Sequence, residues 1–383
     1  MKPFWMVCVT HMFVEVYFLT QVALIPVFMR EFSLTLIESS LVATVPSLVQ
    51  LLANLPSGFM AERFSTRQLL FTSMVTEGLS ALLVSQTDNF WMLVLGVSAM
   101  RLCSPIYHIS GLSRISHLVE RDRMNRSMGF HNALGSFGSA IGLVVLSVFL
   151  STVGWRWIYV FWAMPILIWA FIVSRSSQLA TKATANGKAE RGIGLDRLPI
   201  VLSTSFLILL AAIGFRGIGH TGSLTYMTTY LVEARDFTES AASLIFGLGT
   251  FMSIAGSLNG GYLGEKIGAK KALSLAILGS IISLSVLGLM AQVYLLMLVY
   301  LIYAFFSSSV WSPINALVAH ITPGTGRGLS FSIYFLTEGL VVSITPTLAA
   351  AVIGSLEIWY IFPFSIIFLT IGLMVLQLLH YSG

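Results

Sequence analysis

From Phe4 to Met29 the chain reads FWMVCVTHMFVEVYFLTQVALIPVFM, apolar at all but a few positions. A run of about 20 apolar residues can cross a bilayer core as a helix, with its backbone groups bonded inside the segment. Such runs return at roughly 30-residue intervals along the whole chain. The pattern predicts twelve spanning helices, centred near Tyr17, Leu48, Leu79, Met100, Ile141, Ile166, Ala211, Thr250, Leu278, Tyr303, Val342 and Phe368. An even number places both ends on one side.

Composition agrees and excludes a soluble domain. Of 383 residues, 56% are hydrophobic and 10% charged, with a mean hydropathy of +0.87, whereas soluble domains carry about 25% charged residues. The net charge of +5 reads as a topology signal, because short cytoplasmic connections collect Lys and Arg. With the N-terminus inside, the outer connections hold only Arg30, Arg156 and Arg235, and Arg101 and Arg216 fall within spans. The rest lie inside. Both termini are therefore expected in the cytoplasm, and no nucleic-acid partner is read from the charge. Cys8 and Cys103 lie in apolar runs and form no disulfide framework.

The polar stretch from Arg175 to Arg197 reads as a cytoplasmic linker. It divides the chain into bundles 1–174 and 199–383 around a linker at 175–198. The halves repeat: GFMAERFSTRQLL from Gly58 aligns with GYLGEKIGAKKAL from Gly261, and the same offset brings Thr35 onto Thr238 and Ser40 onto Ser243. Two six-helix bundles related by an axis along the membrane normal form a known transporter plan.

The connection between spans two and three resembles the signature loop of the major facilitator superfamily. Its first copy supplies Gly58, Glu62, Arg63 and Arg67, with Ser65 where the family has glycine. Its second supplies Gly261, Glu265, Lys266, Gly268 and Lys270. The resemblance covers the whole chain and implies an all-α fold of twelve transmembrane helices in two pseudo-symmetric bundles. It also implies alternating access, with the loops as conformational latches. Within that superfamily, HMFVE (residues 11–15), PIYHISGLSRIS (105–116) and GSFGSAIG (135–142) are similar to the fosmidomycin-resistance exporters. One departure is Leu143, where the antiporter pattern of span five has proline after its last glycine.

The candidate chemistry lies inside the spans. His11 and Glu15 share a helix face near mid-membrane, where an ionisable pair is costly and faces a cavity or a partner. They are the first candidates for proton coupling, with Glu338 of span eleven the next; a hydrogen-bonded packing pair is the alternative. Span seven repeats the spacing with Arg216 and His220. Arg216 could hold a carboxylate or phosphate through two parallel bonds, or pair with Glu15 or Glu338. Arg101 and His108 of span four join Arg216 and His220 as candidate substrate ligands, while His117 reads as interfacial and Glu77 as a buried hydrogen-bond anchor. The glycines of spans five and eight read as close-packing positions on a sliding surface between the halves.

PGTGRG at 323–328 lacks the Lys-Ser/Thr of a phosphate loop, and no zinc-ligand spacing or nucleophile elbow appears. The expectation is a monomeric, non-enzymatic, proton-coupled secondary transporter in a bacterial or archaeal inner membrane. It would export a small anionic or amphiphilic molecule and need no metal or cofactor. Its partners would be that molecule, protons and the bilayer. A proton symporter for a metabolite, and a receptor or lipid translocator on the same scaffold, are the alternatives.

Overall fold

A computed structural model describes residues 2–119, 124–180, 203–290, 292–321 and 327–380. Among them are twelve helices long and apolar enough to cross a membrane. Spans one to six are Pro3–Ala23, Leu36–Asn54, Thr66–Ser85, Phe90–Leu112, Gly129–Thr152 and Arg156–Ser174. Spans seven to twelve are Thr204–Glu233, Glu239–Ile267, Ala269–Leu289, Val293–Ile321, Ser330–Ile353 and Ile358–Gln377. Each centre read from the sequence falls within one of them. Most of the expected linker lies outside the described residues.

The chain forms two compact units, 1–187 with 231–247, and 188–230 with 248–383. In the first, span three packs against spans four and six, and span one against span five. In the second, span nine packs against spans ten and twelve. Span nine thus repeats the role of span three, which is the pseudo-symmetry the sequence repeat implies.

Three spans are interrupted. Span one leaves helical geometry after Glu15 and resumes at Thr20, span four breaks between Arg101 and Cys103, and span ten breaks between Ser308 and Trp311. Pro105 and Pro313 sit in the first turn after the latter two breaks, where a missing N–H costs nothing, and Pro26 opens the short helix after span one. Proline rejects the preceding helical turn, which accounts for the restarts in spans four and ten but not for the break after Glu15 in span one.

The two signature loops turn differently. Ser65 keeps φ at −72° and forms a capping box: its Oγ accepts from the Gln68 amide at 3.3 Å while its own amide donates to Gln68 Oε1 at 2.9 Å. In the second copy Gly268 has φ +87°, a conformation that glycine tolerates. Serine therefore replaces the family glycine because the first loop caps its helix with a side chain.

Gly138 and Gly142 of span five serve packing within the first unit. A Cβ at Gly138 or Gly142 would coincide with the carbonyl oxygen of Met12 or Val16 in span one. These two positions therefore pack on span one, whereas Gly247 of span eight meets Leu143 and Val144 of span five. The register of spans one and five is fixed by backbone approaching backbone. In span eight, Gly256 and Gly260 meet the Phe305 and Ser309 carbonyls of span ten in the same way.

Candidate functional site

The first unit brings His11, Glu15 and His108 together at the end of the first helical segment of span one. His11 is 6% exposed, and its Nε2 lies 3.5 Å from Glu15 Oε1, as the i, i+4 spacing requires. His108, from the segment of span four beyond the break, brings its Nε2 to 3.4 Å from the same oxygen. The carboxylate is thus flanked by two imidazoles from two spans. Ser139 of span five approaches from a third side, its Oγ 3.1 Å from the Glu15 carbonyl and 3.4 Å from Oε2.

The His11 ring is fixed from behind. Its Nδ1 lies 2.9 Å from the carbonyl of His131, a contact that requires N–H at Nδ1 and leaves the Nε2 lone pair of the neutral ring toward Glu15. The His131 ring stacks on His11 at 4.0 Å between centroids. Its Nε2 meets Tyr107 Oη at 2.8 Å, while that hydroxyl donates to the Val7 carbonyl at 2.9 Å. Gly135 makes room for this, since a Cβ there would lie 2.7 Å from His11 Nδ1 and 2.8 Å from Nε2.

His131 and Tyr107 were not foreseen. The available signal was a histidine beside a glycine-rich stretch in an apolar span, but only the fold shows that it stacks on His11.

Arg101 ends the helical segment before the break in span four. Its Nη2 donates to the Phe18 carbonyl at 2.6 Å, an acceptor freed by the interruption of span one, and the guanidinium lies 4.5 Å from the centroid of the Phe18 ring. Glu77 is 1% exposed, and its Oε2 has no hydrogen-bond partner among the described residues.

The second unit holds the other arginine. Arg216 is 3% exposed, and its Nη1 faces Glu338 Oε1 at 3.7 Å, too far for a hydrogen bond and without another partner among the described residues. Trp311 covers the guanidinium at 5.1 Å, and Tyr334 donates to Glu338 Oε2 at 3.2 Å. Of the two acids expected to pair with Arg216, the structure places Glu338 beside it. His220, one turn on, meets Tyr303 Oη at 3.2 Å, and that hydroxyl lies 2.6 Å from Ser223 Oγ. A narrow crevice with no room for a water molecule lies beside Arg216 and His220 and is bordered by Ser280, Tyr303 and Ser307.

The latch residues are dispersed. The side-chain surroundings of Glu62 and His117, and the surroundings of Gly58, lie outside the described set. Arg63 and Glu265 are exposed, Arg67 is half-buried, and Gly261 lies near Ser312. Lys266 reaches over the Tyr262 ring at 5.6 Å. Lys270 donates to the Leu379 and Gln377 carbonyls, at 2.7 and 3.1 Å, beyond the end of span twelve.

The family model described as Major Facilitator Superfamily matches residues 6–259 and 209–381. The chain belongs to the major facilitator superfamily. It is therefore a multi-pass membrane protein of a superfamily of secondary active transporters that handle small molecules by alternating access.

Among characterised members, it is 23% identical to the fosmidomycin resistance protein of Escherichia coli (strain K12) over 83% of this chain and 79% of that one. It is 21% identical to a probable nitrate transporter, NarT, of Staphylococcus carnosus (strain TM300), over 82% of this chain and 76% of that one. Among solved structures, a single-residue mutant of the nucleoside transporter NupG superposes with a TM-score of 0.83 at 11% identity, covering 99% of this chain and all of that one. A bacterial homolog of the human lysosomal transporter Spinster, inward-facing and unoccupied, gives 0.79 at 14% identity, covering 99% and 97%. These two likenesses concern the fold.

Proposed function

We propose that this superfamily member is a proton-coupled exporter of a small anionic or amphiphilic molecule, with bundles 1–174 and 199–383 as the moving bodies. On this reading it performs no chemistry on its substrate and works as a monomer in a bacterial or archaeal inner membrane, with both termini cytoplasmic.

The observation that carries the proposal is the Arg216–Glu338 pair. A buried guanidinium must be neutralised, yet Glu338 stands 3.7 Å away and makes no hydrogen bond to it. A proton on Glu338 removes the counter-charge, and an anion then takes its place on the Arg216 fork. Loss of the anion restores the ion pair and expels the proton. Protonation of Glu338 and occupancy of Arg216 are thereby coupled, and the wiring of the two gates decides whether proton and anion are carried together, which gives import, or in alternation, which gives export. The crevice beside Arg216 is closed by spans seven, nine, ten and twelve, so the anion enters as these helices part during the cycle.

Two relatives support an anionic or drug-like substrate by name, the probable nitrate transporter and the fosmidomycin resistance protein. The sequence resemblance to the latter group includes His11, Glu15 and His108. On sequence grounds His11 and Glu15 are the first candidates for the proton. We assign it instead to Glu338, the acid that faces the substrate arginine.

Flux of labelled phosphonates and carboxylates into inverted vesicles, with and without a pH gradient, tests the reading. Gradient-driven uptake should appear in the wild-type protein. Glu338→Gln should abolish accumulation while sparing exchange, and Arg216→Lys should weaken affinity because the fork geometry is lost. A cationic preferred ligand, or an Arg216→Lys variant that binds as tightly as wild type, refutes it. Uptake only in the opposite orientation identifies an importer.

A further inference from the structure

The cluster around Glu15 supports a different chemistry from the one at Arg216. We infer that His11, Glu15 and His108 form a binding site for a divalent transition-metal ion of the zinc class.

Three observations carry the inference. The first is geometric: each imidazole Nε2 lies 3.4–3.5 Å from the shared Glu15 Oε1, longer than the about 2.9–3.0 Å typical of an N–H···O hydrogen bond. Two ligand atoms about 2.05 Å from a tetrahedral zinc stand about 3.3 Å apart. The three ligand atoms all lie within 4.8 Å of one another, so one ion can reach them with small side-chain movements.

The second is the orientation of His11. Its Nδ1–H is committed to the His131 carbonyl at 2.9 Å, which aims the Nε2 lone pair of the neutral ring at a carboxylate oxygen. A lone pair facing a carboxylate is unfavourable unless a proton on that nitrogen or a metal ion stands between them. A backbone carbonyl on the far nitrogen is also the usual support of a metal-bound imidazole. Ser139 Oγ near Glu15 Oε2 gives the carboxylate its own outer partner.

The third is the donor set. Two imidazole nitrogens and one carboxylate suit zinc, cobalt or nickel, whereas magnesium and calcium take oxygen ligands. Three protein ligands leave a fourth position for water or an anionic oxygen, on the side where His108 is 34% exposed. His131, although stacked on His11, is not counted as a ligand because its ring nitrogens are engaged by Tyr107 and Asn132.

The site was hidden in the sequence because its ligands do not share a metal-binding spacing. His11 and Glu15 share one turn of span one, while His108 comes from span four beyond a break that resets the face of the helix.

Titration of the purified full-length protein, without an affinity tag, with Co²⁺ tests the assignment. The d–d absorption reports a tetrahedral nitrogen and oxygen environment. One Co²⁺ per chain should bind and be displaced by Zn²⁺. Glu15→Gln and His108→Gln should each weaken binding at least about a hundredfold, and Ser139→Ala about tenfold through the outer shell. His108→Cys, which retains a ligand, should keep binding and shift the spectrum, so loss of the site is separated from misfolding. Absence of Co²⁺ binding in wild type overturns the inference, as does binding unchanged in folded His108→Gln. If wild type binds no metal and Glu15→Gln loses pH-driven accumulation, the cluster is a proton site only and the inference is likewise overturned. The Co²⁺ titration needs no substrate, so its outcome does not depend on the transport reading at Arg216.

Discussion

Substituting Gly135 by alanine places a methyl group where the His11 ring now lies. The added Cβ would stand 2.7 Å from Nδ1 and 2.8 Å from Nε2, inside any tolerable carbon–nitrogen contact. The ring must swing away, which breaks its bond to the His131 carbonyl and withdraws Nε2 from Glu15. Overpacking of this kind costs about 1–3 kcal/mol, and the lost hydrogen bond about 0.5–1.5 kcal/mol more. Alanine returns about 1 kcal/mol through its better helix propensity, so the net destabilisation is about 0.5–3.5 kcal/mol. Gly129, in the same helix, has nothing within 4 Å of its would-be Cβ. Gly129→Ala should therefore be neutral or stabilising, and the opposite signs are the test. Equilibrium unfolding in mixed micelles measures both variants, and the same Gly135→Ala sample should lose Co²⁺ affinity. Combining Gly135→Ala with His11→Ala removes the clash, so the double variant should be more stable than the two single losses summed. If Gly135→Ala is as stable as Gly129→Ala, or the cycle is additive, the ring does not occupy the glycine slot and the reasoning fails.

Gly142→Ala should destabilise more uniformly, at the upper end of about 1–3 kcal/mol, because its Cβ would meet the Val16 carbonyl and no side chain can swing aside; the unfolding midpoint reads it. Ser65→Ala should cost about 0.5–2 kcal/mol by removing the capping box, and Ser65→Gly only a few tenths in the cap term, which thermal unfolding in detergent distinguishes. Single cysteines placed in the 175–180 stretch of intact cells should resist an impermeant thiol reagent added outside, and labelling from outside would reverse the assigned topology.

The spans were legible in the sequence because membrane insertion is a local constraint. A segment that must satisfy its own backbone in lipid writes its requirement into about 20 consecutive residues, and the two-fold repeat of Gly58 and Gly261 is a match between such local patterns. The pairing of His11 with Glu15 was legible for the same reason, since helix geometry alone sets it. The remaining contacts depend on residues far apart in the chain. His108 reaches Glu15, Arg101 reaches the Phe18 carbonyl, and Glu338 stands beside Arg216. These meetings follow from how helices pack, and packing is set where Gly138 and Gly142 let the span-five backbone rest on span one. The breaks after Glu15 and Arg101 add a second reason: they change the face each later segment presents and free carbonyls that an unbroken helix would have used. Apolar periodicity determined which residues would cross the membrane, and the tertiary structure decided which polar residues would find one another there.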